Sequence, residues 1–402
     1  MSDEGGPPWG WFGSGDDELS LKAAKRGAIS PFIVMDVMRA ANAKQAEGGD
    51  VLHMEVGQPS TPGPKKVLAA AKAALDEELL GYTDAFGVPP LKERIARHYQ
   101  DTYGVTIDPS RIAVTTGSSG GFILAFLAAF DANDRVALVS PGYPAYRNIL
   151  QALDIEVVDI LTGPETDYQP TPELLAQVEG KLDGLIIASP SNPTGTMITR
   201  DGLEGLAKYC REHGIRLVSD EIYHGITFED PAHTMAEFDN ECFVVNSFSK
   251  YYSMTGWRLG WLVFPESLAR SIECLAQNLF ISAPTLSQVA AVEAFNSYDE
   301  LDTNVARYKT NRDLLLEELP KAGFDKLSHA QGAFYVYADV SHLTDDSLSF
   351  CQKILAETGV AVTPGVDFDP TRGHQYLRFS FAGSTEDMAE AAKRLKVFRQ
   401  TL

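Results

Sequence analysis

Between residues 111 and 264, short apolar runs alternate with helical patterns, and that alternation leaves few folds open. The β-rich runs span 111–116, 135–140, 156–160, 184–189, 215–219, 242–247 and 259–264. Helical patterns fall at 64–79, 89–103, 121–130, 143–153, 171–180 and 200–213. Seven near-continuous apolar strands, most of them separated by helices, predict an α/β fold with a mainly parallel, doubly wound sheet covered on both faces. In such sheets ligands bind beyond the carboxyl ends of the strands. Thr116, Ser140, Ser189, Ser219 and Ser247 end such runs. From about residue 298 the pattern changes to a charged helix reaching 319, a strand at 333–340, a helix at 348–358, a strand at 375–381 and a helix from 385. The expected division is a tail over 1–24, a small α+β domain over 25–58 and 298–402, and a large domain over 59–297. The tail interleaves Trp9, Trp11 and Phe12 with Gly, Pro, Asp and Glu, a composition that reads as flexible.

Composition narrows the function. A chain of 402 residues with a formal net charge of -21 is a poor partner for nucleic acid or anionic membrane. An anionic substrate would have to be captured by particular arginines. The apolar run at 122–130 is too short to span a bilayer. Met1-Ser2-Asp3-Glu4 shows no basic or apolar leader, and Cys210, Cys242, Cys274 and Cys351 are widely spaced with no CxxC pair. A cytoplasmic protein with reduced thiols is expected. The eight histidines show no HxxxH or HExxH spacing, so no metal site is expected.

Several strand ends carry chemistry. In Ser247-Phe248-Ser249-Lys250 a lysine flanked by hydroxyls follows an apolar run, and Arg258 follows in Thr255-Gly256-Trp257-Arg258-Leu259-Gly260. A buried amine near cations becomes nucleophilic. The turn around Gly117, Ser118 and Ser119 opens an apolar helix and is either a simple cap or an anion site built from free N–H groups and the positive dipole end. Asp220 ends a strand in Ser219-Asp220-Glu221-Ile222-Tyr223, as an N-cap or as a functional carboxylate, and Tyr223, three residues on, lies on the same side if this turn is helical. Ser191-Asn192-Pro193-Thr194-Gly195 is a turn or a binding loop. Tyr143 follows another strand. Arg378 lies inside the apolar run Tyr376-Leu377-Arg378-Phe379-Ser380, where a buried guanidinium needs an internal carboxylate or a bound one.

These motifs, in this order, resemble the pyridoxal-phosphate enzymes of fold type I, specifically the class I/II, aspartate aminotransferase-like family, over about residues 28 to 398. The resemblance implies pyridoxal 5′-phosphate as cofactor, with Lys250 joined to its aldehyde. It implies phosphate contacts from Gly117, Ser118, Ser119, Ser247, Ser249 and Arg258, and a ring stacked on Tyr143. Asp220 would meet the ring nitrogen, and Tyr223 and Asn192 the phenolic oxygen. Arg378, Asn192 and the backbone at Gly57 would take the substrate α-carboxylate. Tyr82 would reach the phosphate of a second subunit, making a homodimer. The implied activity is ping-pong transfer of an amino group from an L-amino acid to a 2-oxo acid. The apolar segment 28–34 and the cation-free loop after Gly57 point to a neutral or apolar amino acid, with glutamate or alanine as shared partner. A dicarboxylate enzyme drawing on Arg147, Arg307 or Arg372, a lyase on the same fold, and a cofactor-sensing regulator are the alternatives.

Overall fold

A computed structural model describes residues 21–22 and 24–400; most of the Trp-containing tail lies outside them. The large sheet has seven strands in the order Ile112–Thr115, Gly260–Val263, Phe243–Ser247, Arg216–Asp220, Gly184–Ala188, Arg135–Ser140 and Glu156–Leu161. Gly260–Val263 is antiparallel to both neighbours and the remaining pairs are parallel.

The apolar runs are continuous because both faces are covered. Successive side chains of a strand point to opposite faces. Leu217 and Val244 join one hydrophobic cluster while their neighbours Val218 and Val245 join the other. Phe122 and Phe126 of helix Gly117–Ala129 cover one face, and Leu203, Leu206 and Ala207 of helix Arg200–His213 cover the opposite one. Each fully buried side chain of this kind is worth about 1.5–3 kcal/mol. The parallel strands and Ile112–Thr115 therefore end along one edge, where their following loops meet.

The second sheet runs Thr363–Pro364, Tyr376–Ser380, Tyr335–Asp339 and Lys326–Leu327, all antiparallel. Helices Tyr298–Lys321, Ser347–Thr358 and Thr385–Arg399 accompany it. Leu52–His53 pairs in parallel with Val360–Ala361, which joins the N-terminal segment to the C-terminal part of the chain.

The structure departs from the sequence expectation at several elements. The helix expected over 171–180 is one α-turn, Pro172–Leu175, which continues as i→i+3 bonds from Gln177 and Val178. The helix expected from 121 begins at Gly117. Helices Ile33–Ala46, Ala269–Leu279 and Thr285–Ala291 are additional.

Candidate active site

The strand-end loops enclose a cavity of about 410 Å³, lined by Lys250, Ser249, Asp220, Tyr223, Asn192, Tyr143, Ser118, Ser119, Arg258, Gly57 and Arg378 among others. After strand Phe243–Ser247, Phe248 turns inward to pack on Trp261 at 5.0 Å, which leaves Ser249 and Lys250 facing the cavity. Lys250 Nζ donates to Gly57 O at 2.6 Å and lies 5.7 Å from the centre of the Tyr223 ring. Burial lowers its pKa to about 8; Arg378 and Arg258 push the same way, against Asp220.

Asp220 is buried at the end of its strand. It accepts from Ile222 N at 3.0 Å and from the Tyr146 hydroxyl. Burial raises its carboxyl to about 6, and the hydrogen bonds from Tyr146 and Ile222, with Lys250, oppose a larger rise. Tyr146 is a site residue that the sequence reading missed. Its signal is its place one helical turn beyond Tyr143, on helix Pro144–Ala152, so the two rings share a face. They meet edge-on at 5.3 Å, and Phe32 meets Tyr143 edge-on at 5.7 Å.

Tyr335 is the second missed residue. Its hydroxyl lies 2.8 Å from that of Tyr223, and its ring carries the Arg378 guanidinium at 4.4 Å. It also explains Gly57: a Cβ there would sit 1.7 Å from Tyr335 Oη. Arg378 donates to Asn192 Oδ1 at 2.8 Å, to Thr363 Oγ1 at 3.2 Å and to Glu55 O, while its Nε is buried with no hydrogen-bond partner among the described residues. None of these acceptors is a carboxylate, so a buried cation faces the cavity with no counter-ion bonded to it among the described residues.

At the other group of polar residues, Ser118 and Ser119 occupy the first turn of helix Gly117–Ala129. Arg258 has a left-handed backbone (φ 51°) and donates to Thr255 O at 3.1 Å. Gly117 (φ 70°) underlies it, and a Cβ there would lie 2.5 Å from Arg258 Nη2. Thr255 also lines the cavity and was not anticipated. Ser247 is placed differently from expectation. It is buried off the cavity wall, where its Oγ accepts from Ser249 N at 2.9 Å and donates to Leu259 O at 3.4 Å. Those bonds shape the turn that presents Ser249 and Lys250. Tyr82 is 85 % exposed and lies off the cavity of its own chain.

Residues 49–395 match the family model for aminotransferase class I and II. The chain belongs to this family. It is 51% identical to the valine–pyruvate aminotransferase of Mycobacterium tuberculosis over 94% of this chain and 98% of that relative. A crystal structure of an aminotransferase from Mycobacterium tuberculosis superposes with a TM-score of 0.94 at 50% identity, covering 95% of this chain and 100% of that one. The Thermus thermophilus aspartate aminotransferase solved with maleate gives a TM-score of 0.89 at 30% identity, covering 95% and 100%. This aminotransferase is therefore a pyridoxal-phosphate enzyme of fold type I.

The donor set fits that cofactor. One cavity holds a buried carboxylate for a ring nitrogen, an amine of lowered pKa for an aldehyde, and a helix start with Arg258 for a phosphate.

Proposed function

We propose that this aminotransferase moves the amino group of a neutral, aliphatic L-amino acid to a 2-oxo acid by a ping-pong sequence, with alanine or glutamate as the shared partner. The observation that carries this reading is the composition of the cavity wall. Among the described residues its cations are Lys250, Arg258 and Arg378, each with a role in holding cofactor or α-carboxylate, and the rest of the wall includes Phe32, Val34, Met35, Met38 and Val56. A second substrate carboxylate would meet no free cation of this chain there, at a desolvation cost of about several kcal/mol. Arg147 is paired with Asp159, Arg372 with Asp369, and Arg307 donates to Ser60 Oγ at 3.3 Å; none lines this cavity. The valine–pyruvate relative agrees with this reading, and the aspartate enzyme of Thermus thermophilus is the alternative it must beat.

In the proposed mechanism, Arg378 and Asn192 hold the substrate α-carboxylate, with the planar Arg378 fork positioned against Tyr335 and Phe368. Lys250 Nζ takes the Cα proton as general base, and its lowered pKa keeps a substantial neutral fraction near physiological pH. Pyridoxal phosphate, when bound, supplies the electrophilic aldehyde and the ring that accepts the electron pair left at Cα. Asp220 holds the ring-nitrogen proton, and Tyr146 holds Asp220.

The test is kcat/KM for valine, alanine and phenylalanine against aspartate. Aspartate ahead by a hundredfold, roughly 3 kcal/mol of transition-state binding, overturns the substrate reading. We further propose a cytoplasmic homodimer with Tyr82 shared across its interface; all four cysteines are free, and among the described residues no helix is long and apolar enough to cross a membrane.

A further inference from the structure

Helix Ile33–Ala46 begins without a cap of its own. Its N-cap residue is Phe32, which has no side-chain acceptor. The N–H groups of Ile33 and Val34 instead donate to the two oxygens of Asp367, each at 3.0 Å. The acceptor comes from the other end of the chain, on the turn Gly365–Asp367. A carboxylate is favoured there by both hydrogen bonds and by the helix dipole. Asp367 is buried, so water is a poor substitute for it. Burial pushes its carboxyl upward, while the two N–H donors and Arg378 oppose that rise.

Both ends of this contact reach the active site. The helix and its cap carry Phe32, Val34, Met35 and Met38 to the cavity wall. On the other side, Phe368 follows Asp367 and lies 4.7 Å from the Arg378 guanidinium. We propose that Asp367 is a specificity-positioning residue: by latching the N-terminal helix to the 365–368 turn, it fixes the apolar wall at the depth that favours branched donors over alanine. Alanine offers one methyl carbon and gains little from the wall, whereas valine adds two. The inference rests on the reading that Arg378 takes the α-carboxylate and that the wall meets the side chain.

The test compares wild-type holoenzyme with Asp367→Ala and Asp367→Asn in two measurements. Deuterium exchange of the amides at 33–38 should speed up in Asp367→Ala and less in Asp367→Asn, which keeps one acceptor oxygen. For Asp367→Ala, kcat/KM should fall about tenfold for valine and less than about threefold for alanine, with Asp367→Asn between. Unchanged exchange, or an equal fall for both donors, overturns the proposal. A wild-type preference for aspartate would instead overturn the substrate reading. The latch is then judged on leucine and alanine alone: an unchanged ratio in Asp367→Ala overturns it and a fallen ratio supports it.

Discussion

Lys250 sits where burial and two guanidinium groups all disfavour an ammonium. Only the neutral amine attacks an aldehyde. With its pKa lowered to about 8, the apoprotein should take up pyridoxal phosphate faster as pH rises, by about tenfold per unit below that value, and level off above it. Stopped-flow absorbance of the lysine-linked cofactor measures this, and a rate still climbing about tenfold per unit through about pH 9 would mark an unlowered amine and contradict the prediction. Lys250→Ala should abolish both the linkage and turnover. Asp220 gives the complementary case. The Tyr146 hydroxyl lowers the Asp220 pKa, so Tyr146→Phe should let it rise above about 6 and shrink the ionised fraction near neutrality. Turnover should fall about 10- to 100-fold, the range for a hydrogen bond to a charged group, with the acid limb of the kcat–pH profile moved toward neutral. A Tyr146→Phe enzyme with an unshifted profile would leave Tyr146 a packing residue only.

At the scale of elements, the parallel strands were legible because burial on both faces writes a continuous apolar run, and candidate residues such as Asp220 and Lys250 lie at the ends of those strands. Helices with local caps were legible too. Arg200–His213 has Thr199 at its start and Gly214 (φ 67°) at its end, and it spans the expected residues. Helix Ile33–Ala46 was not, because Phe32 is no cap signal and its cap is a residue 334 positions away. Tyr335 escaped for a related reason: in an apolar strand, a tyrosine reads as core, and only the tertiary approach of Gly57 gives its hydroxyl a place in the site. That approach is testable. In Gly57→Ala, Tyr335 has little room to yield, since its buried ring packs under Arg378 and its hydroxyl on Tyr223. Overpacking of this kind costs about 1–3 kcal/mol. The expected outcome is kcat/KM lowered by about a hundredfold and a Tm lowered by a few degrees. A fully active Gly57→Ala enzyme would show that the close approach of Gly57 to Tyr335 does not set the geometry of the site.

For the whole molecule, we propose that residues 25–58 and 298–402 form one small domain against a large domain over 59–297; the pairing of Leu52–His53 with Val360–Ala361 supports that division. The site then takes Lys250 and Asp220 from one part and Arg378 from the other. A third contributor is proposed from the partner subunit. Arg258 and Thr255 line the main cavity and also an adjoining open groove with Gln58, Pro59 and Trp257. Tyr82 and Leu79 of the same chain are exposed and off the cavity, an arrangement that suits insertion into a second copy under two-fold symmetry. Complementation decides the matter. Tyr82→Phe alone should be weakened in cofactor binding, and Lys250→Ala alone should be inactive. In a mixed dimer, the site that keeps Lys250 would receive its tyrosine from the Lys250→Ala chain and so regain every wild-type residue. Expressed per Lys250-bearing chain, co-refolding the two variants should therefore raise activity and cofactor affinity above those of Tyr82→Phe alone. If Tyr82 served its own chain, no site in the mixture would hold both residues, and activity per Lys250-bearing chain would stay at the Tyr82→Phe level.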